Sequence, residues 1–178
     1  MKITKIKVTK KDYADALFFN EGFLTDCNWM FKGEYVETDN ELINQYLKDG
    51  KPFRYNKNQG IIIDCDLPKC SQLIPQYCGD NSNELVYSGL DITNSEASVM
   101  VNKNKKYFSY INNRYKAFLD KQNIFTPTLI QTSHLDAVQV INRCEVIGLI
   151  MPMQFRDATP IERIQKLIIE WNKELAEA

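Results

Sequence analysis

Apolar positions in this chain recur mostly in short β-branched or alternating runs separated by polar turns, a period that reads as sheet. The plainest case lies toward the C-terminal end. Ala137, Val138, Val140 and Ile141 are followed by the polar stretch Asn142, Arg143, Cys144 and Glu145, then by Val146, Ile147, Gly148, Leu149, Ile150 and Met151. This predicts two strands around a hairpin turn, the second apolar enough to be covered on both faces. Pro152 cannot donate to a ladder and drives the residue before it out of the α region. Pairing should stop or change there.

The same pattern places further strands at 2–8, 23–31, 61–66, 84–92, 97–101, 106–111 and 128–132. Along 2–8, lysines sit beside Ile3, Ile6 and Val8, as on an edge strand with its charges outward. Helices are expected elsewhere. Thr9, with Asp12 at the third position, caps one over 10–19, whose apolar side is Tyr13, Ala16 and Leu17. Asp39 caps a second over 40–48, stopped by Gly50. Pro68 suits the first turn of a third over 67–77. Tyr115, Phe118 and Leu119 form the apolar arc of a fourth over 114–122. The clearest helical spacing comes last. Thr159, Pro160 and Glu162 combine a capping box with proline at the first position, and Ile161, Ile164, Leu167, Ile168, Trp171 and Leu175 follow.

Composition narrows the function classes. The 178 residues are 44% hydrophobic and 25% charged, which suits one globular domain with an added element. The formal net charge is −1, so any nucleic-acid contact must come from a local face. No apolar run approaches the roughly 20 residues of a membrane helix. The start of the chain lacks an apolar secretory core, and its five cysteines then read as reduced thiols. A cytoplasmic protein with no membrane partner is expected.

Chemistry is sparse. The seven glycines are scattered singly, with no phosphate-cradling loop. Cys65, Cys70 and Cys78 follow no common zinc spacing, even with Asp64, Asp66 or His134 as a fourth ligand. A Cys27 or Cys144 nucleophile has only His134 as a histidine base. Nothing in the spacing of Asp64, Asp66 and Asp91 makes them converge on a metal. Tyr107, Phe108, Tyr110 and Tyr115 lie beside a lysine-rich turn, a combination that can stack single strands, though alternation favours simple strand packing. The reading is therefore no catalytic residue, no metal and no cofactor.

The segment 113–153 resembles the closing part of a bacterial sliding-clamp domain, the β subunit that tethers replicative DNA polymerase. A helix like that expected at 114–122 leads into short strands. The last strand ends Leu149, Ile150, Met151, Pro152, Met153, Gln154, Phe155, where the family closes on Met–Pro–Met–Arg–Leu or a variant. Residues 137–141 sit where the family often has a Pro–Val–Leu–Ile type strand, and 22–26 resemble an early strand plus Thr–Asp. Departures are clear. The chain has room for one such domain where a clamp subunit has three, Gln154 replaces the arginine, and 156–178 are extra.

The resemblance implies an α+β domain over 1–155, mostly antiparallel sheet with two short helices on one face and a helical insertion near 39–50. An amphipathic helix over 156–178 would pack on that domain or on a partner. It implies that Lys10 and Lys11 on the first helix, and Arg114, Lys116 and Lys121 on the second, touch phosphates without reading bases, which suits sliding. Met151, Pro152, Met153 and Phe155 would receive a partner peptide, since methionine adapts to irregular ligands. The expected function is a non-enzymatic, phage-type DNA-replication accessory or processivity factor, a homo-oligomer if it rings duplex DNA, with a replication protein as partner. The alternative is a protein-binding module, an inhibitor or decoy of host machinery, that does not bind DNA.

Overall fold

Short strands joined by tight turns make most of the described residues. The structure is a computed structural model that describes residues 5–13, 15–63, 66–75, 82–92, 97–104, 107–113, 128–133, 136–142, 144–153 and 166. The strands are β1 (Ile6–Val8), β2 (Ala16–Asn20), β3 (Phe23–Thr25), β4 (Trp29–Lys32), β5 (Val36–Thr38), β6 (Phe53–Asn56) and β7 (Gly60–Ile62). They continue as β8 (Glu84–Ile92), β9 (Ala97–Asn102), β10 (Phe108–Asn112), β11 (Thr128–Ile130), β12 (Val138–Asn142) and β13 (Glu145–Ile150). One α-helix, α1 (Glu41–Asp49), stands among the described residues, with 3-10 turns at Gly33–Tyr35 and Ser71–Leu73.

An 11-stranded sheet runs in the order β10-β9-β8-β11-β12-β13-β4-β3-β2-β6-β7. Every neighbouring pair in it is antiparallel. β1 and β5 form a separate parallel pair. The fold is thus a mostly antiparallel sheet with helix, of α+β type.

Turn chemistry explains the central meander. Glu21 and Gly22 both take positive φ (51° and 83°), the two-residue geometry whose twist matches flanking antiparallel strands. Between β3 and β4, the Asp26 carboxylate accepts the N–H groups of Asn28 (2.8 Å) and Trp29 (3.0 Å), and Thr25 Oγ1 accepts from Cys27 N (2.9 Å). The expected single strand over 23–31 is therefore a hairpin, folded at an Asp–Cys–Asn turn.

The apolar strand expected from the sequence is β13, paired with β12 on one side and β4 on the other. Its inner face carries Ile150 opposite Trp29 and Gly148 opposite Phe31. A Cβ on Gly148 would lie 2.2 Å from Phe31 Cδ1 and 2.4 Å from the Met30 carbonyl oxygen, so glycine is what lets the Phe31 ring lie over β13. Inside, one cluster joins Leu17, Phe31 and Phe53 to Met100, Ile111, Val138 and Ile150, with Ile43 of α1. On the outer face Phe23, Met30, Ile130, Ile141, Val146 and Leu149 form a second cluster with Cys70.

Three helix expectations need correction or fall away. Residues 10–19 are not a helix. Thr9 and Asp12 make a single turn, Asp12 N to Thr9 O (2.8 Å) with Thr9 N returned to the Asp12 carboxylate (2.7 Å), and β2 then begins. Leu17 and Phe19 are buried while Phe18 between them is half-buried, a period of two secured by pairing with β3 and β6. The helix expected at 67–77 reduces to the 3-10 turn Ser71–Leu73, with Pro75 just beyond. The helix near 40–48 is α1, but its cap is Asn40, whose side chain accepts from Leu42 N and Ile43 N, and it ends at Gly50 in the left-handed region. The helices expected over 114–122 and 156–178 lie outside the described residues, apart from the exposed helical Lys166.

Candidate functional site

The Met–Pro–Met corner is where the central strand leaves its neighbours. Met151 N still donates to Asn28 O (2.8 Å), extending the β4 pairing by one residue. Pro152 has no N–H, and beyond it Met153 N donates to Tyr110 O (2.7 Å) on β10. β10 is the end strand of the sheet, so the sheet curls enough for the corner to link its middle to one edge. Pairing changes at Pro152, as its chemistry requires.

Met151 is 48% exposed, while Pro152 and Met153 are half-buried; Phe155 lies outside the described residues. Strand alternation puts Met151 on the side of Leu149, next to the outer cluster. That cluster is covered by the segment 66–75, through buried Cys70 and half-buried Ile74.

The cations divide differently from expectation. Lys10 and Lys11 stand exposed on the turn before β2, where Asp12, Asp15 and Asp39 are close in sequence or contact. Lys10 N itself reaches the Asp39 carboxylate (3.4 Å). With 10–19 not helical, these two lysines do not lie on a helix across the sheet. Arg114, Lys116 and Lys121 lie outside the described residues. At the lysine-rich turn, Lys103 pairs with Glu84 (2.5 Å) and the Tyr107 hydroxyl donates to the Gln131 carbonyl, so Tyr107 is used in packing. Burial holds the Tyr107 and Tyr110 phenols above their ordinary pKa.

Acid–base and metal chemistry find no constellation among the described residues. Burial first, then the charge of Asp26, raises the Cys27 thiol pKa. Burial first, then Glu21 and Cys27, pushes Cys70 up to about 11, so both stay protonated and poorly nucleophilic at neutral pH. Cys144 is exposed, and His134, Cys65, Cys78 and Asp64 are outside the described residues. Among the described residues no three His, Cys, Asp or Glu side chains converge, and no helix is long and apolar enough to cross a membrane. A cleft of about 270 Å³ beside α1 is rimmed by Lys5, Lys48, Glu34 and Glu37, whose charges cancel. Its one amide, Asn44, is already bonded to Thr38 N (2.7 Å) and Thr38 O (2.9 Å).

Two features were missed in the sequence. The Glu145 carboxylate accepts from the Lys32 ammonium and from the Tyr35 hydroxyl (2.8 Å), joining β13 to the end of β4. No sequence signal marks a pairing so distant. The cover formed by 66–75 was hidden by a helix reading, although Pro68 and Pro75 at its two ends were a usable warning.

Comparison with protein-family models, with curated proteins and with solved structures finds no match to this chain.

Proposed function

We propose that the chain is a non-enzymatic protein-binding module that docks a partner peptide at the Met151–Met153 corner. The observation that carries this reading is Met151 itself, 48% exposed at the end of a strand whose other apolar side chains are buried. A flexible thioether beside an apolar cluster suits an apolar peptide anchor. A cytoplasmic setting, in which the thiols of Cys27, Cys70 and Cys144 stay reduced, belongs to the same proposal.

The sliding-clamp-like reading is the second proposal. It is favoured by the position of Met–Pro–Met at the close of a strand in a continuous antiparallel sheet. Its duplex contacts would fall to Arg114, Lys116 and Lys121 on a helix over 114–122, since Lys10 and Lys11 sit among carboxylates. The helix over 156–178 would then serve assembly.

A peptide array with paired apolar anchors, probed with the whole chain, tests the first reading. Met151→Asp should weaken the selected peptides by about tenfold or more, the cost of placing a carboxylate where an apolar anchor was buried, and Lys10→Ala/Lys11→Ala should leave them unchanged. Duplex-DNA anisotropy at low and moderate salt separates the second. Salt-sensitive binding lost in Arg114→Ala/Lys116→Ala/Lys121→Ala, with no Met151-dependent peptide, would replace docking by the clamp reading.

A further inference from the structure

The outer apolar cluster has a cover of a kind unlike the rest of the fold. Residues 66–75 carry no strand, and their internal backbone bonds are those of one 3-10 turn, Leu73 N to Cys70 O (3.1 Å) and Ile74 N to Ser71 O (3.4 Å), with the Cys70 thiol donating to the Pro68 carbonyl (3.5 Å). Nothing in the sheet ladder would be lost if the segment moved. Its apolar grip is Cys70, 1% exposed, and Ile74, packed with Phe23, Met30, Ile141 and Leu149.

Its polar grip is concentrated on one turn of the sheet. Asn20 Nδ2 donates to the Pro68 carbonyl (3.0 Å). Glu21 Oε2 accepts both Ser71 N (2.9 Å) and Ser71 Oγ (2.7 Å). The two Ser71 bonds hold the Glu21 carboxyl below its ordinary pKa, so at neutral pH the acceptor is a full carboxylate. Glu21 projects from a two-residue turn at φ 51°, a conformation that the paired β2 and β3 impose. The latch is thus built on a rigid hairpin, and both Glu21 and Ser71 are exposed to solvent.

We infer that 66–75 is a displaceable strap, latched by Glu21 to the β2–β3 turn, over an apolar groove that continues toward Met151. The strap shows what the groove accepts: an irregular or extended segment offering two modest apolar side chains four positions apart. Charge-assisted hydrogen bonds are about twice as strong as neutral ones, so loss of the carboxylate removes most of the polar hold while leaving the sheet intact. The use of the groove by a partner peptide rests on the docking reading above. Opening of the strap does not, and it is measured without any partner.

Cys70 is a built-in reporter, because it is buried only while the strap is seated. The experiment alkylates the full chain with iodoacetamide under native conditions and follows Cys70 by fragment-level mass spectrometry, which separates it from the other four cysteines, including Cys78 on the same tryptic peptide. Glu21→Asn is the informative variant. Asparagine tolerates positive φ, so the turn is kept, but its side chain is too short to reach Ser71. Cys70 should be alkylated about tenfold faster or more in Glu21→Asn, and less markedly faster in Ser71→Ala, with Tm unchanged or raised. Alkylation of Cys70 at the wild-type rate in Glu21→Asn would overturn the latch. Acceleration that appears only in step with a falling Tm would overturn it equally, by showing that Cys70 is uncovered through global unfolding.

Discussion

β4 and β13 are covered on both faces, but by two different kinds of chain. On the inner face the core is shared with α1 and the β1–β5 pair, regular elements whose own ends are bonded: Asn40 caps α1, Gly50 closes it, and Asn44 ties it to Thr38. On the outer face the cover is the strap 66–75, held by side chains at one turn. Removing similar amounts of apolar surface from water stabilises either face comparably. What differs is how much of the rest must break for a cover to leave. The inner one is woven into the helix and the parallel pair; the outer one is seated on the sheet.

The largest expected effect tests the surface that both faces share. Gly148→Ala places a methyl within 2.2 Å of the Phe31 ring and 2.4 Å of the Met30 carbonyl. Backbone cannot yield as a side-chain tip does, so the loss should be roughly 3 kcal/mol or more, at the upper end of overpacking. Urea denaturation measures it. A midpoint equal to wild type would contradict the register that sets Gly148 against Phe31.

Next comes the contrast between the covers themselves. Ile43 is fully buried in the inner cluster, and Ile43→Ala should cost about 2–5 kcal/mol. Ile74 is half-buried against the outer cluster, and Ile74→Ala should cost about 1 kcal/mol or less in global stability. Cys70 alkylation should respond in the opposite order, more to Ile74→Ala than to Ile43→Ala at matched stability. Equal unfolding costs for the two variants would mean that the strap belongs to the cooperative core.

The smallest effect concerns Glu145. Hydrogen bonds from Lys32 first, and then from Tyr35, hold its carboxyl below the ordinary value. A carboxyl with a lowered folded pKa adds stability above its unfolded pKa, about 4.3, and loses it as pH falls through the lower folded value. The Glu145 side chain is 44% exposed, so solvent screening keeps the contribution to less than about 1 kcal/mol. Glu145→Gln should lower the urea midpoint slightly at pH 7 and flatten the stability curve of the protein below pH 4.5. A variant curve parallel to wild type through that range would remove Glu145 from the account.

How much of this was legible varied element by element. β8 falls at 84–92 and β13 at 145–150, both close to expectation; for β13 the reason is a β-branched run bounded by turn residues, which leaves little choice of period. The stretch 10–19 was ambiguous: Tyr13, Ala16 and Leu17 fit a helix, whereas Leu17 and Phe19 fit a strand. Pairing with β3 and β6 decided it, and that pairing is invisible in a short window. The same holds for β5, β6 and the parallel register of Ile6 with Val36, none of which carries a distinctive local pattern. Of the candidate site, the Met–Pro–Met corner was visible and its exposure was not.

Local chemistry settled the stop of α1 at Gly50, the change of pairing at Pro152 and the apolar character of β13, because each depends on groups within a few residues of one another. Which strand lies beside which, which face of β13 meets Phe31 and which meets the strap, and whether Lys10 stands on a helix or on a turn were decided only in the folded molecule. Strand pairing and burial draw their energy from partners far away in the chain, and a period of two names both faces of a strand without saying what will cover either.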